Sequence, residues 1–478
     1  MLIFAVGLAV LAAIVIFIID RSQTEDAVRR NYPVIGRFRG LFSELGEFFR
    51  QYFFAMDREE MPFNRAQREW VTRAAEGHGN TVAFGSTKSL TTPGAIIFAP
   101  TPFPALSEAQ RKTRSMVFGP DCRTPFEARH FFNISGMSYG ALSRVAVEAL
   151  SKGAAKSGCW LNTGEGGLSP HHLSGGCDLV FQIGTAKYGV RDQDGALSDE
   201  RLKAIASHEQ VRMFELKLAQ GAKPGKGGIL PAGKVTDEIA EIRGIRAGEA
   251  SISPNRHLEA ADLDGLLALI ERIRMVTGKP TGLKIVLGDP AFADALLSHV
   301  ALRGAPPDFI TVDGGDGGTG AAPMPLMDNV GLTVREAAPL MADALRRNGL
   351  KDRIRLIASG KLLTPSDVAY ALACGADFVV SARGFMFSLG CIQALKCNEN
   401  TCPTGITTHD PRFQRGLVPA DKADKVAAYH HAVVKEVEMI AHSCGAETAR
   451  DLTRDQVRLV RRNGRTEALS NIYPEAPV

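Results

Sequence analysis

The sequence predicts a (β/α)8 barrel carried behind an N-terminal transmembrane helix and a wrapping leader segment. Three observations predict it. From Phe131 onward, short apolar runs alternate with longer amphipathic stretches, eight times over about 250 residues. Glycine-rich motifs follow most of the apolar runs, which is where a barrel places its functional loops. The chain also starts with an unbroken apolar segment, Leu2–Ile19. With 478 residues, 45% hydrophobic and 23% charged, it can bury one large core. An open, doubly wound sheet is the alternative, but it would not place glycines after nearly every strand.

The first element is LIFAVGLAVLAAIVIFII. As a helix it reaches about 27 Å, enough to cross a bilayer core. A cleaved signal peptide would show a basic start and a small-x-small cleavage site, and neither is present. Arg21, Arg29, Arg30, Arg37 and Arg39 follow the segment, with no side-chain charge before it. That asymmetry predicts a single-pass membrane protein, anchored by residues 1–19, with its catalytic domain in the cytoplasm.

Residues 20–130 form the leader. Leu41–Arg58 carries a Phe-rich helical stripe, suited to packing on the barrel or to the membrane interface, with packing favoured. Pro62–Gly85 reads as a short helix and then extended chain, and Pro93, Pro100, Pro102 and Pro104 mark irregular structure as far as Gln110.

The barrel spans 131–415. Its predicted strands are Phe131–Ile134, Trp160–Asn162, Leu179–Ile183, Ala250–Ser253, Leu283–Val286, Phe309–Val312, Arg355–Ala358 and Phe378–Ser381. Helices are expected at Arg144–Ser157, Asp262–Val276, Pro290–Arg303, Thr333–Asn348 and Pro365–Cys374. The C-terminal region, 416–478, reads as two closing helices, Val418–His442 and Thr453–Arg462, with a loosely held tail from Ser470.

A net charge of +4 gives no case for nucleic-acid binding. Eight cysteines in so long a chain do not resemble a disulfide framework and point to a reducing compartment. Cys122, Cys159, Cys177, Cys374 and Cys444 have no motif context. Cys391, Cys397 and Cys402 lie in one run, GCIQALKCNENTCPTG, spaced C-x5-C-x4-C. Thiolates are soft ligands for iron–sulfur clusters or zinc. Three thiolates suit a three-iron cluster; zinc with His409 as a fourth ligand, or unligated cysteines, are the alternatives.

Gly315, Gly317 and Gly320 spell G-x-G-x-x-G, but Pro323 and Pro325 follow instead of a helix start, which excludes a dinucleotide fold. The seventh and eighth strands end in Ser359-Gly360-Lys361 and Ser381-Ala382-Arg383-Gly384, a common phosphate position in barrels.

Five motifs occur in order: SGMSYGALS at Ser135–Ser143, NTGEGG at Asn162–Gly167, AQGAKPGKGG at Ala219–Gly228, DGGTGA at Asp316–Ala321, and the cysteine run. On these the stretch Asn133–His409 resembles the FMN-binding synthase domain of glutamate synthase large subunits, and especially the shorter, membrane-anchored glutamate synthase-like proteins. The resemblance implies FMN held by Gly136, Met137, Ser138, Gln182, Lys284, Asp316, Gly317, Gly318, Thr319 and Gly320. It places the FMN phosphate at Ser359, Gly360, Arg383 and Gly384, and a 3Fe-4S cluster at Cys391, Cys397 and Cys402. Lys284 is the cation that would stabilise reduced flavin. Glu165 and Lys223 are the implied catalytic residues, and Lys223, Arg243 and Glu165 the substrate-binding ones.

The implied reaction passes electrons from the cluster to FMN and a hydride to a 2-imino acid, made from 2-oxoglutarate and ammonia, giving glutamate. The donor would be ferredoxin, a reductase subunit or a membrane carrier. Neither the family's glutaminase domain nor its C-terminal β-helix is expected, so ammonia would come from solution, from a partner, or not at all. The family motif K-P-G-E-G-G-Q reads here with Lys226 and Ile229 in place of Glu and Gln. Ile229 cannot replace the hydrogen bonds of Gln, which puts 2-oxoglutarate in question while an anionic 2-oxo acid still fits. Two other readings follow: another FMN-dependent amino- or hydroxy-acid oxidoreductase, or a membrane-tethered electron-transfer subunit.

Overall fold

Eight parallel strands close into a barrel in chain order: Phe132–Ile134, Leu161–Asn162, Leu179–Ile183, Val211–Lys217, Thr281–Ile285, Phe309–Asp313, Arg355–Ser359 and Phe378–Ser381. The last strand pairs with the first, Val380 against Asn133, and this closure leaves no free edge. Leu179–Ile183 and Phe309–Asp313 are buried along their whole length, as strands covered by helices outside and side chains inside must be. The computed structural model describes residues 1–476. Pro477 and Val478, at the end of the tail, lie outside it, as do the side chains of Arg39, Ser43, Glu44, Glu47, Phe48 and Gln51.

The chain divides into two compact units, Met1–Arg68 and Glu69–Val478. The leader is therefore not one piece. The first unit contains the apolar helix Leu2–Ser22, then Ala27–Asn31, Arg37–Phe49 and a π-helical turn, Arg50–Phe54. The second contains the barrel.

Several crossover helices begin and end where local chemistry dictates. Ser143 accepts a hydrogen bond from Ala146 N to start Arg144–Ser157, and Gly158, at φ 74°, stops it. Asp289 and Pro290 open Pro290–Arg303, and Gly304 ends it. The 25-residue helix Pro419–Ser443 packs on Arg144–Ser157. Gly153 lies at that crossing, where a Cβ would overlap Val426.

A hairpin from the leader, Met116–Phe118 with Phe126–Ala128, closes the N-terminal end of the barrel. The Phe118 ring is fully buried, stacked on Phe378 at 4.7 Å and edge-on to Phe309 and Trp160 at 5.6 and 5.8 Å.

Two expectations are corrected. The fourth barrel strand is Val211–Lys217, not Ala250–Ser253. Ser251–Ile252 instead forms a short antiparallel pair with Ile229–Leu230. The true strand was masked by three charged residues in seven, Arg212, Glu215 and Lys217, two of which point into the barrel's polar end. Thr453–Arg462 is not a helix. A short turn, Arg454–Gln456, leads into strand Val457–Val460, whose β-branched ends are buried between Ile96–Phe98 and Thr466–Ala468.

Candidate active site at the barrel mouth

The functional face of a barrel lies at the C-terminal ends of its strands, and buried polar side chains gather there. Glu215 is the hub. Its Oε1 accepts from Asn162 Nδ2 at 2.9 Å and Gln182 Nε2 at 2.6 Å, and its Oε2 from Thr311 Oγ1 at 2.7 Å. One carboxylate thus ties four strands together and offsets its own burial with hydrogen bonds.

Beside it, Lys284 Nζ lies 3.2 Å from Asp313 Oδ2. Asp313 also accepts from Gly221 N at 3.0 Å and Ser359 Oγ at 2.8 Å. Burial pushes the Asp313 carboxyl up, but Lys284 and these donors hold it below its ordinary value. Burial likewise disfavours the Lys284 ammonium, yet Asp313 and Glu215 raise it on balance. Lys284 is therefore a fixed cation at the mouth. Gly136 packs closely against the Glu215 partners: a Cβ there would lie 3.3–3.4 Å from the Gly164 backbone and the Asn162 and Gln182 side chains. A flat anionic ring fits that chemistry.

A second ion pair stands on the next loop. Glu165 Oε1 accepts from Lys217 Nζ at 2.9 Å, and Lys217 also donates to Gln220 Oε1 at 3.0 Å. Burial would raise the Glu165 carboxyl, but Lys217, with Lys223 and Arg243 farther off, holds it down at about 2. Two glycines shape its slot. A Cβ on Gly184 would lie 2.5 Å from Glu165 Oε2, and one on Gly228 2.7 Å from Oε1.

Lys223 is 5% exposed, and burial pushes its ammonium below the usual range while Glu165 partly restores it. Arg243 is buried behind the same loops. Its Nη2 donates to the Tyr139 carbonyl at 3.1 Å, and its guanidinium lies 5.1 Å from the centre of the Tyr188 ring. It passes beside Gly140 and Gly166, where a Cβ would come within 3.0 Å of Nη2.

The remaining motif residues have identifiable places. The Met137 side chain is buried, and its carbonyl meets His172 Nε2 at 2.9 Å; Ser138 backs onto Gly164. Asp316 accepts from Val334 N at 3.0 Å, so its carboxylate holds the glycine loop to the helix Val334–Arg347. Gly360, at φ 123°, lies on Gly314, and Gly384 lies against Tyr429. Arg383 Nη2 donates to the Thr319 carbonyl at 2.6 Å, and Nη1 stands 3.8 Å from Cys397 Sγ. Its guanidinium thus links the glycine loop, which includes Gly317, Gly318 and Gly320, to the cysteine run.

That run is unusual in its backbone. Gln393, Leu395 and Asn400 all take left-handed φ near 60° without being glycine, a strain that persists only where surroundings enforce it. Cys402 is the most buried of the three cysteines. Burial raises the Cys402 thiol, but hydrogen bonds with Thr404 and Thr407 lower it on balance. Lys234 donates to the Ala141 and Cys397 carbonyls, and burial brings its ammonium down to about 8 despite the nearby Cys397 and Cys402. His409 Nε2 lies 2.9 Å from the Gly140 carbonyl. Among the described residues, no three His, Cys, Asp or Glu side chains are gathered as a metal-holding set. The loop carries the ligand chemistry of a cluster without its converged geometry.

Sequence reasoning missed Glu215, Lys217 and Lys234. The first two were lost with the fourth strand. The alternation of Val211, Met213 and Glu215 on one side of VRMFELK was the available signal.

A family model described as a conserved region in glutamate synthase matches residues 104–447. The glutamate synthase large subunit-like protein YerD of Bacillus subtilis (strain 168) is 38% identical, over 96% of this chain and 94% of that protein. The archaeal glutamate synthase (NADPH) of Methanocaldococcus jannaschii is 34% identical over 68% of this chain and 61% of its own length. The archaeal-type glutamate synthase (NADPH) of Thermotoga maritima is 33% identical over 66% and 60%. With all eight barrel strands inside the matched region and a relative aligned almost end to end, the chain belongs to the glutamate synthase family.

Proposed function

We propose that the barrel mouth binds FMN and that the protein is a glutamate-synthase-type oxidoreductase, reducing a 2-imino acid to an amino acid. The observation that carries this reading is the placing of two buried ion pairs, Lys284–Asp313 and Glu165–Lys217, around a glycine-walled mouth. FMN bound there, once reduced, would supply the hydride that the imine carbon takes up.

The chain's own residues do the rest. Lys284 offers a fixed positive charge to the flavin's pyrimidine edge. Gly136 and the Gly317–Gly320 loop let backbone approach the ring. Lys223 brings positive charge toward a substrate carboxylate. Lys217 Nζ holds a proton next to Glu165 Oε1, where the substrate nitrogen would take it up as the carbon is reduced. Arg243 holds the Tyr139 carbonyl from behind, with its Nη2 close beside Gly166 on the Glu165 loop.

Cys391, Cys397 and Cys402 are proposed to hold a 3Fe-4S cluster, which would supply one-electron transfer from an external donor: ferredoxin, a reductase subunit or a membrane carrier. Their soft ligand chemistry and the contact of Arg383 with both Thr319 and Cys397 support this. Leu2–Ser22 is proposed as a retained anchor, leaving the barrel in the cytoplasm.

The substrate is proposed to be 2-oxoglutarate with ammonia, or a close anionic 2-oxo acid. One observation favours a second reading, a tethered electron-transfer subunit. Ile229, which stands where the resemblance expects Gln, is exposed and paired with Ile252 in a short antiparallel ribbon, offering substrate no polar group. The test is anaerobic purification in detergent with flavin and iron counted, followed by turnover with 2-oxo acids, starting with 2-oxoglutarate, and ammonium, with dithionite supplied as the electron donor. Flavin together with glutamate formation supports the synthase. Flavin and iron without turnover on any 2-oxo acid favours the tethered subunit, and protein without flavin overturns both.

A further inference from the structure

The structure assigns the helix Arg37–Phe49 to the lipid surface: we propose that it lies in the bilayer interface as a second, in-plane membrane contact. The inference rests on reading Leu2–Ser22 as a membrane anchor. The geometry of the first unit supplies the rest. Asp20, at the end of the apolar segment, is fully buried and accepts from Arg29, Arg37 and the Val34 backbone N–H at 2.8–3.2 Å.

A carboxylate at that position sits where the span leaves the hydrocarbon. It pairs with the first residue of the helix Arg37–Phe49, so the start of that helix is pinned at the membrane surface. Gly36 allows the tight return, because a Cβ there would lie 2.9–3.0 Å from the backbone of Val28, Arg29 and Tyr32.

The pinned helix carries Phe38, Leu41, Phe42 and Leu45, an i, i+3, i+4, i+7 stripe. These four are 39–66% exposed. An apolar, aromatic stripe held at the level of the headgroups has an occupant at hand in the acyl-chain boundary. Arg21 and Arg30 stay exposed beside the Asp20 clamp, with Arg21 donating to the Arg30 carbonyl at 3.2 Å, and suit anionic headgroups.

The test uses the full chain in vesicles of phosphatidylcholine and phosphatidylglycerol containing a phospholipid with a photoactivatable diazirine high on its acyl chain. Adducts are mapped by mass spectrometry. The expected result is adducts on Phe38–Leu45 as well as on residues 2–19, with none on the helix Arg65–Ala75. In the double variant Leu41→Glu, Leu45→Glu, the Phe38–Leu45 adducts fall to background while those on 2–19 persist. Adducts confined to residues 2–19 in the unaltered chain would overturn the in-plane contact, with protein covering the stripe instead, and leave the anchor standing. Adducts on neither segment would overturn the anchor and this inference together.

Discussion

Replacing Lys217 with Met tests whether the Glu165 pair organises the mouth. Its Nζ lies 2.9 Å from Glu165 Oε1, and the two side chains are only 9% and 19% exposed. At an effective dielectric near 20, unit charges at that distance attract by roughly 6 kcal/mol, and desolvation of both groups removes part of it. The net effect shows in the carboxyl, which is held at about 2 against an ordinary 4.5. That depression is worth on the order of 3 kcal/mol. Because the folded value is lowered, the contribution is complete above about 4.5 and is lost as pH falls toward 2. Without Lys217, burial acts on Glu165 with its nearest cation gone, and its carboxyl rises. The assay is denaturant unfolding of detergent-purified Lys217→Met, Glu165→Gln and the double variant. At neutral pH the first should lose about 3 kcal/mol and the double variant clearly less than the sum of the singles. The gap between wild type and Lys217→Met should narrow in acid. Additive losses, or a gap unchanged between neutral pH and acid, would refute the pairing as the source of the carboxyl's depression.

Further outcomes are expected. Gly184→Ala or Gly228→Ala pushes a methyl against the Glu165 carboxylate and should cost roughly 100-fold in turnover while flavin content holds, measured by steady-state kinetics and flavin counting. Lys284→Met leaves Asp313 without its cation, and flavin retention through gel filtration should fall sharply. Cys391→Ser, Cys397→Ser or Cys402→Ser should each lower bound iron and leave flavin in place, read by metal analysis beside the flavin band. Phe118→Ala opens the N-terminal end of the barrel and should cost about 3–5 kcal/mol in unfolding free energy.

Much of the barrel was legible because its signals are local. Ser143 and Gly158 mark the ends of one helix, and Asp289-Pro290 and Gly304 another, each within a few residues of the chain they control. Strands such as Leu179–Ile183 are apolar but for one residue, Gln182, and burial on both faces makes them so. The fourth strand failed that test because its charges are solvated by distant partners. Glu215 is paid for by Asn162, Gln182 and Thr311, and Lys217 by Glu165, residues from three other strands and a loop that nothing local in Val211–Lys217 announces. Ser251–Ile252 was a decoy, short and apolar, but paired outside the barrel. The site's motifs could be found in sequence, whereas the direction of each side chain could not. Arg383 reaches Thr319 and Cys397, and Asp316 reaches back to Val334, through loop geometry that spacing does not encode.

The most direct test of the account is an anaerobic titration of the oxidised, detergent-purified protein with L-glutamate, followed in the flavin absorbance band. The band should bleach as glutamate is added and return when 2-oxoglutarate and ammonium are supplied in excess. A flavin band that no amino acid bleaches, or protein that carries no flavin, would contradict it.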